Sequence, residues 1–456
     1  MKLYLKDRAF YKIVLGIALP VVLQSLITSG VNMMDTLMLT AYGEAQLSGG
    51  SLANQFISLF QFSCMGIGFG AAVLTARYWG SGNMTAFHKV TTLMLRACFV
   101  LSAPFILASL LIPEQIMALY TPDEAIIFEG VRYLRLSAFT FILNGLTITV
   151  SAVLRSAHKL KLPLAASVVA FFSNVFFNWV FIFGKLGVPA MEIEGAAIGT
   201  LLSRILECGM VVGYFLFFEK DIGYRFQALF LHCREYWADY IRFCIPVLLS
   251  DTLLGLGNNM ISVLMGHMGG SYVSAFALVS QLTRMTTVLT QGLSSAASVI
   301  IGNALGRRQK QKAYDMGVTF LILASAVGVI ASGILLAITP MFVKIGTLTA
   351  ETQGVAIQLM RSVSVTIIFS TIQSILTKGV LRGAGDTRFL MVADILFLWL
   401  ASIPLGYLAG LVWHCSAFVV YLALHTDWII KAVWCSLRLL GGKWLNYSTK
   451  AEAVTQ

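Results

Sequence analysis

Apolar runs long enough to cross a lipid bilayer recur along the whole chain, separated by mostly short polar connections. A spanning helix needs roughly 20 mostly apolar residues, because the hydrocarbon core of a bilayer is about 30 Å thick. The runs that reach this length lie near residues 13–40, 51–76, 91–112, 126–152, 163–184, 195–218, 243–266, 272–303, 315–340, 355–378, 389–411 and 416–437. The pattern therefore predicts an all-α integral membrane protein with about twelve transmembrane helices.

The composition indicates the same class. Hydrophobic residues make up 58% of the 456 residues and charged residues 12%, and the mean hydropathy is +0.81. A soluble domain carries roughly 25% charged residues, so this chain has too little polar surface to cover a globule in water. The first apolar run is long and has no small-residue cleavage site, which predicts a retained span rather than a removed signal peptide.

The two halves of the chain repeat one another. Residues 20–80 align with residues 246–306 without a gap. The shared positions include Pro20/Pro246, Asn32/Asn258, Gly43/Gly269, Gln55/Gln281, Gly66/Gly292 and Gly80/Gly306. Since each half holds an even number of predicted spans, the halves share one orientation and are related by a parallel pseudo-two-fold repeat, an arrangement known from transporters.

The repeat predicts the domain organisation. We expect residues 1–218 to form an N-terminal lobe with spans one to six, and residues 241–437 to form a C-terminal lobe with spans seven to twelve. The polar stretch 219–240 joins the lobes and is predicted to be cytoplasmic, as is the tail 438–456.

The net charge of +11 reflects topology rather than a nucleic-acid partner. Alternate connections collect basic residues, among them Lys2, Arg8, Arg77, Lys89, Lys159, Arg225, Arg234, Lys310, Arg382, Arg388 and Arg438. The opposite connections carry mostly acidic residues, among them Glu44, Glu114, Asp123, Glu124, Glu192 and Glu351. Lys and Arg stay cytoplasmic during insertion, so we expect a multi-pass protein of the cell membrane with both termini in the cytoplasm.

Motifs of enzymes and cofactor-binding proteins are absent from the sequence. There is no G-x-x-x-x-G-K-[ST] loop and no H-E-x-x-H, so neither an ATPase nor a zinc protease is indicated. The seven cysteines form no C-x-x-C pair, and the six histidines have no ligand spacing. We therefore expect no enzyme activity, no cofactor and no resident metal site.

Polar residues inside the first-half spans are the main candidates for function. A carboxylate at bilayer depth costs about 2.5–3.5 kcal/mol on insertion scales, so it needs a partner, a water-filled cavity or a role. Asp35 lies in the first span, and Asn174 and Asn178 lie four residues apart on one face of the fifth. The three residues are candidates for binding a coupling cation, either H⁺ or Na⁺. The alternative is that Asp35 is a hydrogen-bonded structural group near the outer end of its span.

The second half is not a copy of the first at these positions. Asp35 aligns with Ile261, and the carboxylates of the second half are Asp251 in span seven and Asp394 in span eleven. Asp251 follows Pro246, where a bent helix frees backbone carbonyls. We treat Asp251 and Asp394 as secondary candidates for transport, with a hydrogen-bonded structural role as the alternative.

Two further pairs have the spacing of neighbours on one helix face. Arg204 and Glu207 are spaced i,i+3 and predict a structural ion pair. Asp427 and Lys431 are spaced i,i+4 near the inner end of the last span and predict an interfacial pair.

Several motifs occur in the order known from one family. They are Ala18–Leu19–Pro20 with Asn32–Met33–Met34–Asp35–Thr36, Asn174 and Asn178 with Phe183–Gly184–Lys185–Leu186–Gly187–Val188–Pro189, Gly195–Ala196–Ala197–Ile198–Gly199–Thr200, Gly302–Asn303–Ala304–Leu305–Gly306, and Leu381–Arg382–Gly383–Ala384–Gly385–Asp386–Thr387. Over nearly its full length the chain resembles the multidrug and toxic compound extrusion (MATE) transporters. The resemblance implies two six-helix lobes and export of drug-like, often cationic, organic molecules in exchange for H⁺ or Na⁺. We also expect the protein to be a monomer.

The resemblance bears on the site residues as well. Asp35 matches the first-span aspartate of the proton-coupled branch of the family. Asn178 stands where some members of that branch carry an aspartate, and span ten has no carboxylate, whereas another branch depends on one there. The lobe that couples the ion therefore stays open.

Two other functions would require different residues in the spans. A flippase for a lipid-linked precursor would need a cationic cavity for a pyrophosphate, and the spans offer few free Arg or Lys beyond Arg284. A membrane-embedded enzyme would need clustered His, Asp or Cys at the membrane face, and no such cluster is evident in the sequence.

Overall fold

A computed structural model describes residues 7–39, 44–121, 123–268, 270–342 and 350–446, and these residues are helical with short connections. The repeat pair Gly43 and Gly269, the N-terminal Lys2 and the tail after residue 446 lie outside the described residues. No strand occurs in the described part of the chain. The prediction of an all-α fold is confirmed.

In its described residues, the first half contains eight α-helices. They are α1 (Arg8–Leu39), α2 (Glu44–Ser81), α3 (Met84–Leu111), α4 (Pro113–Ala118), α5 (Glu124–Ser137), α6 (Thr140–Ser156), α7 (Lys161–Ile182) and α8 (Glu192–Phe217). Side-chain caps explain two of the starts, since the side chain of Asn83 accepts from the amide of Ala86 at 3.0 Å and that of Asp123 from the amide of Ala125 at 2.9 Å. A short 3₁₀ helix, Phe226–Phe230, lies in the connection to the second half.

The second half alternates α-helices with wider π-helical turns. The α-helices are α9 (Arg234–His267), α10 (Gly270–Gly306), α11 (Lys310–Phe342), α12 (Ala350–Ser374), α13 (Arg382–Ala384), α14 (Thr387–Ile395), α15 (Ile403–Tyr407), α16 (Ala417–Leu424) and α17 (Thr426–Leu440). The π-helical segments are Ile375–Leu381, Leu396–Ser402 and Leu408–Val412. A final 3₁₀ turn is Lys443–Asn446.

The helices account for the predicted number of spans. In the described residues, 10 helices or continuous helical stretches are long and apolar enough to cross a membrane, and the count reaches 12 if two bent pairs each form one span. The bent pairs are α5 with α6, at 54°, and α16 with α17, at 41°. The prediction of about twelve spans is confirmed, whereas the two bends were not foreseen.

The chain folds into two compact units. The N unit comprises Pro20–Thr75 and Asn83–Cys244, within the described residues. The C unit comprises the described parts of Met1–Leu19, Ala76–Gly82 and Ile245–Gln456. The first part of α1 and the end of α2 thus group with the second half of the chain, and the connection between the halves groups with the first.

Two repeat-related residues explain part of this division. The chain passes from one unit to the other at Pro20 inside α1, and again at Ile245, next to Pro246 inside α9. Proline lacks the backbone N–H and disturbs the helix at the preceding turn. The repeated prolines therefore lie where the two long helices change from one packing environment to the other.

A repeated pair of glycines explains why the end of α2 belongs to the C unit. A Cβ atom on Gly80 would overlap the carbonyl oxygen of Asn303, and one on Gly306 would overlap the carbonyl oxygen of Arg77. The Arg77 guanidinium also donates to the carbonyl of Ala384. The ends of α2 and α10 therefore cross at backbone distance through glycines that occupy equivalent positions in the repeat.

Candidate functional site

A polar site around Asp35 lies inside the N unit. Asp35 on α1 is buried, with 7% of its surface exposed, and its Oδ1 accepts from Nδ2 of Asn178 at 2.5 Å. The same Nδ2 lies 3.3 Å from Oδ1 of Asn174, and Nδ2 of Asn174 donates to the Thr200 hydroxyl at 3.3 Å. The structure thus brings together the three predicted residues, from α1 and α7, and adds Thr200 from α8.

Close packing of α7 against α8 shapes this site. A Cβ atom at Gly199 would lie 3.0 Å from the backbone nitrogen of Asn178 and would overlap its Oδ1. Oδ1 of Asn178 is buried and accepts no hydrogen bond from the described residues. An unsatisfied buried acceptor costs about 1–3 kcal/mol, so this oxygen beside a carboxylate fits a site that receives a cation or a water molecule.

A second polar cluster continues from the first along the same three helices. Nε2 of Gln24 donates to the Ser167 hydroxyl at 3.2 Å, and that hydroxyl donates to Glu207 at 3.0 Å. The predicted partners Arg204 and Glu207 form an ion pair of 2.5 Å. Beside this pair lies a cavity of about 10 Å³, close to the space that one water molecule needs.

In the C unit, Asp251 is held by an arginine. The Arg382 guanidinium donates through both terminal nitrogens to the two carboxylate oxygens of Asp251, at 2.8 and 3.1 Å. Arg382 was predicted to lie in a connection, and this was wrong, because it lies within the continuous helical stretch Glu351–Ala384, where it is 4% exposed. A bidentate Arg–carboxylate pair of this kind holds the charge of Asp251 in place.

Asp394 belongs to a buried group of three charges. Nζ of Lys431 lies 3.1 Å from Asp394 and 2.8 Å from Asp427, and the Ser250 hydroxyl also donates to Asp394. The Ser402 hydroxyl donates to Asp427 at 3.2 Å. The predicted pair of Asp427 and Lys431 therefore forms, but it is enclosed by protein, since each residue is 1% exposed. The i,i+4 spacing indicates that the two side chains meet, but it carries no information about a third partner from another helix.

The three candidate carboxylates therefore differ in how their charge is held. Asp251 and Asp394 are each ion-paired with a cationic side chain inside the protein. Asp35 is held by an amide, and Arg204, the cation that influences it electrostatically, is paired with Glu207. In the described part of the chain, no group of three or more His, Cys, Asp or Glu residues is placed to hold a metal ion. The Asp35 site thus offers one carboxylate and several neutral oxygens, which suits a monovalent cation.

An all-helical membrane protein with a two-fold repeat and polar networks buried within its spans has the architecture of a secondary transporter. The model of the MatE family matches the chain twice, at residues 20–180 and 246–408, and the two matches begin at the repeat-related residues Pro20 and Pro246. The chain therefore belongs to the MATE family of transporters. The family resemblance is confirmed, and a membrane-embedded enzyme is excluded.

Individual relatives are distant, and their matches cover from two thirds to almost the whole of the chain. The chain is 22% identical over 436 residues to the probable multidrug resistance protein NorM of Thermotoga maritima, covering 95% of this chain and 93% of the relative. It is 24% identical over 305 residues to a protein of Shewanella oneidensis described as an FAD transporter, covering 66% and 67%. A crystal structure of MATE in the bent conformation has a TM-score of 0.85 at 18% identity, covering 95% of this chain and 96% of that one.

Proposed function

We propose that this protein is an antiporter of the cell membrane that exports drug-like, often cationic, organic molecules in exchange for a cation bound at Asp35. The supporting observation is the contrast between the carboxylates. Asp35 is buried beside amide groups with no ion-pairing partner within the described residues, whereas Asp251 and Asp394 are ion-paired. A buried charge without a counter-ion is costly, so binding of H⁺ or Na⁺ to Asp35 removes an electrostatic penalty.

The coupling follows from that neutralisation. A ligand shifts a conformational equilibrium only by its difference in affinity for the two states. The coupling cation stabilises states in which Asp35 is enclosed, and the exported molecule must favour states in which Asp35 has given up its cation. Each passage of one species through the protein then requires the other to move in the opposite direction.

H⁺ and Na⁺ make different demands on the side chains. A proton needs only Asp35, and the present orientation of Asn178 then places its Nδ2 against the carboxyl group. Na⁺ needs several oxygen ligands, so Asn178 would turn its Oδ1 towards the ion, while Asn174 and the Thr200 hydroxyl supply further oxygens. Rotation of the amide exchanges the two arrangements without moving the helices.

The flippase alternative is less well supported. A pyrophosphate group needs cationic side chains that are free to bind it. Among the buried cations, Arg382 and Lys431 are already engaged by carboxylates, and Arg77 donates to the carbonyl of Ala384. The relatives described as multidrug resistance protein and FAD transporter are further reasons to favour a soluble organic substrate.

The test is transport in proteoliposomes with the two gradients imposed separately. We expect a fluorescent organic cation to move against its own gradient when either ΔpH or ΔNa⁺ is imposed, and not in the absence of both. Equal transport under both conditions and in their absence would exclude coupling to a cation. The gradient that drives transport also identifies the coupling ion.

A further inference from the structure

The connection between the two halves does not project away from the protein. It runs along the first half of α3. Its contacts are made with residues progressively farther from the start of that helix and then again with a residue near the start. His88 contacts the carbonyl of Ile222, and Thr92 contacts Tyr224 and Ala228. Arg96 contacts Leu229 and Leu231, and Lys89 then pairs with Glu235. From His88 to Arg96 the connection therefore follows α3 for about two helical turns, or about 12 Å, before it comes back.

The far end of the connection contacts α3 within the apolar run of that helix. Arg96 lies near the middle of α3 (Met84–Leu111), one of the helices apolar enough to span a bilayer. The apolar run in the sequence begins near residue 91, so Arg96 is about 7 Å beyond its start at 1.5 Å per residue. The Arg96 side chain extends from this level to the backbone carbonyls of Leu229 and Leu231.

Backbone at that depth needs internal partners, because hydrocarbon offers no hydrogen bonds. The Arg96 guanidinium donates to the carbonyl of Leu229 at 2.6 Å and to that of Leu231 at 2.9 Å. The Thr92 hydroxyl donates to the carbonyl of Ala228 at 2.8 Å. Three carbonyls at the end of the 3₁₀ helix, those of Ala228, Leu229 and Leu231, thus accept from side chains of a spanning helix, as irregular backbone in a bilayer requires.

The outer face of the connection is aromatic and is flanked by basic residues. Phe226 and Phe230 are 61% and 78% exposed, with their ring centroids 6.1 Å apart. Arg225 and Arg234 are exposed before and after them. Apolar rings between two cations are typical of segments that lie in a membrane interface with the rings among acyl chains.

We propose that residues 222–234 form a re-entrant element inserted into the cytoplasmic leaflet. Phe226 and Phe230 lie among acyl chains, and Arg225 and Arg234 bind the phosphates of anionic lipids. The element is thereby anchored to the lipid rather than dissolved in the cytoplasm, which revises the prediction made for 219–240. The inference is independent of the coupling ion and of Asp35.

The test measures the depth of spin labels on the full chain in lipid vesicles. Phe226→Cys, Phe230→Cys and, as a control, Lys220→Cys are made in a variant whose seven native cysteines are replaced by alanine and which is shown to transport. Collisions with lipid-soluble oxygen and with a water-soluble nickel chelate are then compared. We expect labels at 226 and 230 to favour oxygen severalfold over the label at 220. Equal accessibility to the nickel chelate at all three positions would overturn the inserted arrangement.

A second measurement tests the lipid headgroup. The label at 226 is measured in vesicles of phosphatidylcholine alone and with phosphatidylglycerol added. We expect the anionic lipid to draw the label deeper, and the double variant Arg225→Gln/Arg234→Gln to lose this response. Lys185→Gln, which removes an exposed charge elsewhere on the same unit, should keep it. A label that lies at the same depth in both lipids would show that anionic headgroups are not bound.

Discussion

At the scale of single residues, a carboxylate inside a bilayer is tolerated when something holds its charge. Asp251 has a bidentate arginine, and Asp394 and Asp427 share Lys431. Asp35 has an amide partner instead. The first two arrangements fix a charge in place, and the third leaves a charge that a mobile cation can neutralise.

Lys431 provides a test of the structural role of the second arrangement. Lys431→Met leaves Asp394 and Asp427 buried without a cation, and removing one partner of a buried ion pair typically costs about 3–5 kcal/mol. We expect a clearly lower melting temperature in detergent. The triple variant Lys431→Met/Asp394→Asn/Asp427→Asn removes all three charges and should recover most of the loss. A melting temperature of Lys431→Met equal to that of the natural chain would contradict the assignment.

The sequence could predict which residues share a helix face but not which helices meet. Asn174 and Asn178 lie together as their spacing indicates, and Arg204 reaches Glu207. The partners Thr200, Arg382 and Arg96 were missed, because each contact joins distant parts of the chain and depends on packing. An arginine within an apolar run, as at Arg96, was a signal that went unused.

At the scale of helices, the repeated residues Pro20 and Pro246 lie where α1 and α9 pass from one compact unit to the other. Apolar run length predicted each span, because it depends only on local composition. It could not predict the 54° bend between α5 and α6 or the π-helical segment Ile375–Leu381, since local apolar pattern does not show where a helix breaks or widens. The repeated glycines Gly80 and Gly306 have a clear structural role, because both lie where the backbones of α2 and α10 are in contact.

The crossing of α2 and α10 can be tested at those glycines. Gly80→Ala and Gly306→Ala each force a methyl group into the backbone of the facing helix, and overpacking of this kind typically costs about 1–3 kcal/mol. Thermal unfolding of each variant should show a loss of stability. Gly213→Ala is the matched control, since nothing lies within 4 Å of a Cβ there and alanine in a helix is favoured over glycine by about 0.5–1 kcal/mol. Equal melting temperatures for all three variants would contradict the close crossing.

At the scale of the whole molecule, composition and the repeat were sufficient for the fold class, and the ordered motifs for the family. The orientation in the membrane stays a prediction from the basic residues, and labelling can test it. Cysteines replacing Glu124 and Glu192 should react with an impermeant thiol reagent added to intact cells, whereas one replacing Lys310 should react only after the cells are opened. The reverse pattern would invert the topology and place both termini outside.

The central claim is that Asp35 couples cation entry to substrate export, and one comparison tests it most directly. Asp35→Asn removes the titratable charge at nearly constant shape and mimics the neutralised carboxyl group, so the protein should fold and insert but should no longer respond to the cation gradient. Initial rates of gradient-driven transport and of substrate exchange are measured for Asp35→Asn, Asp251→Asn and Asp394→Asn at matched amounts of folded protein. We expect Asp35→Asn to lose driven transport and, because it resembles the cation-bound state, to exchange substrate more slowly, and we expect the two C-unit variants to lose less of the driven rate. Full driven transport by Asp35→Asn, together with its loss in Asp251→Asn or Asp394→Asn, would contradict the account and assign coupling to the C unit.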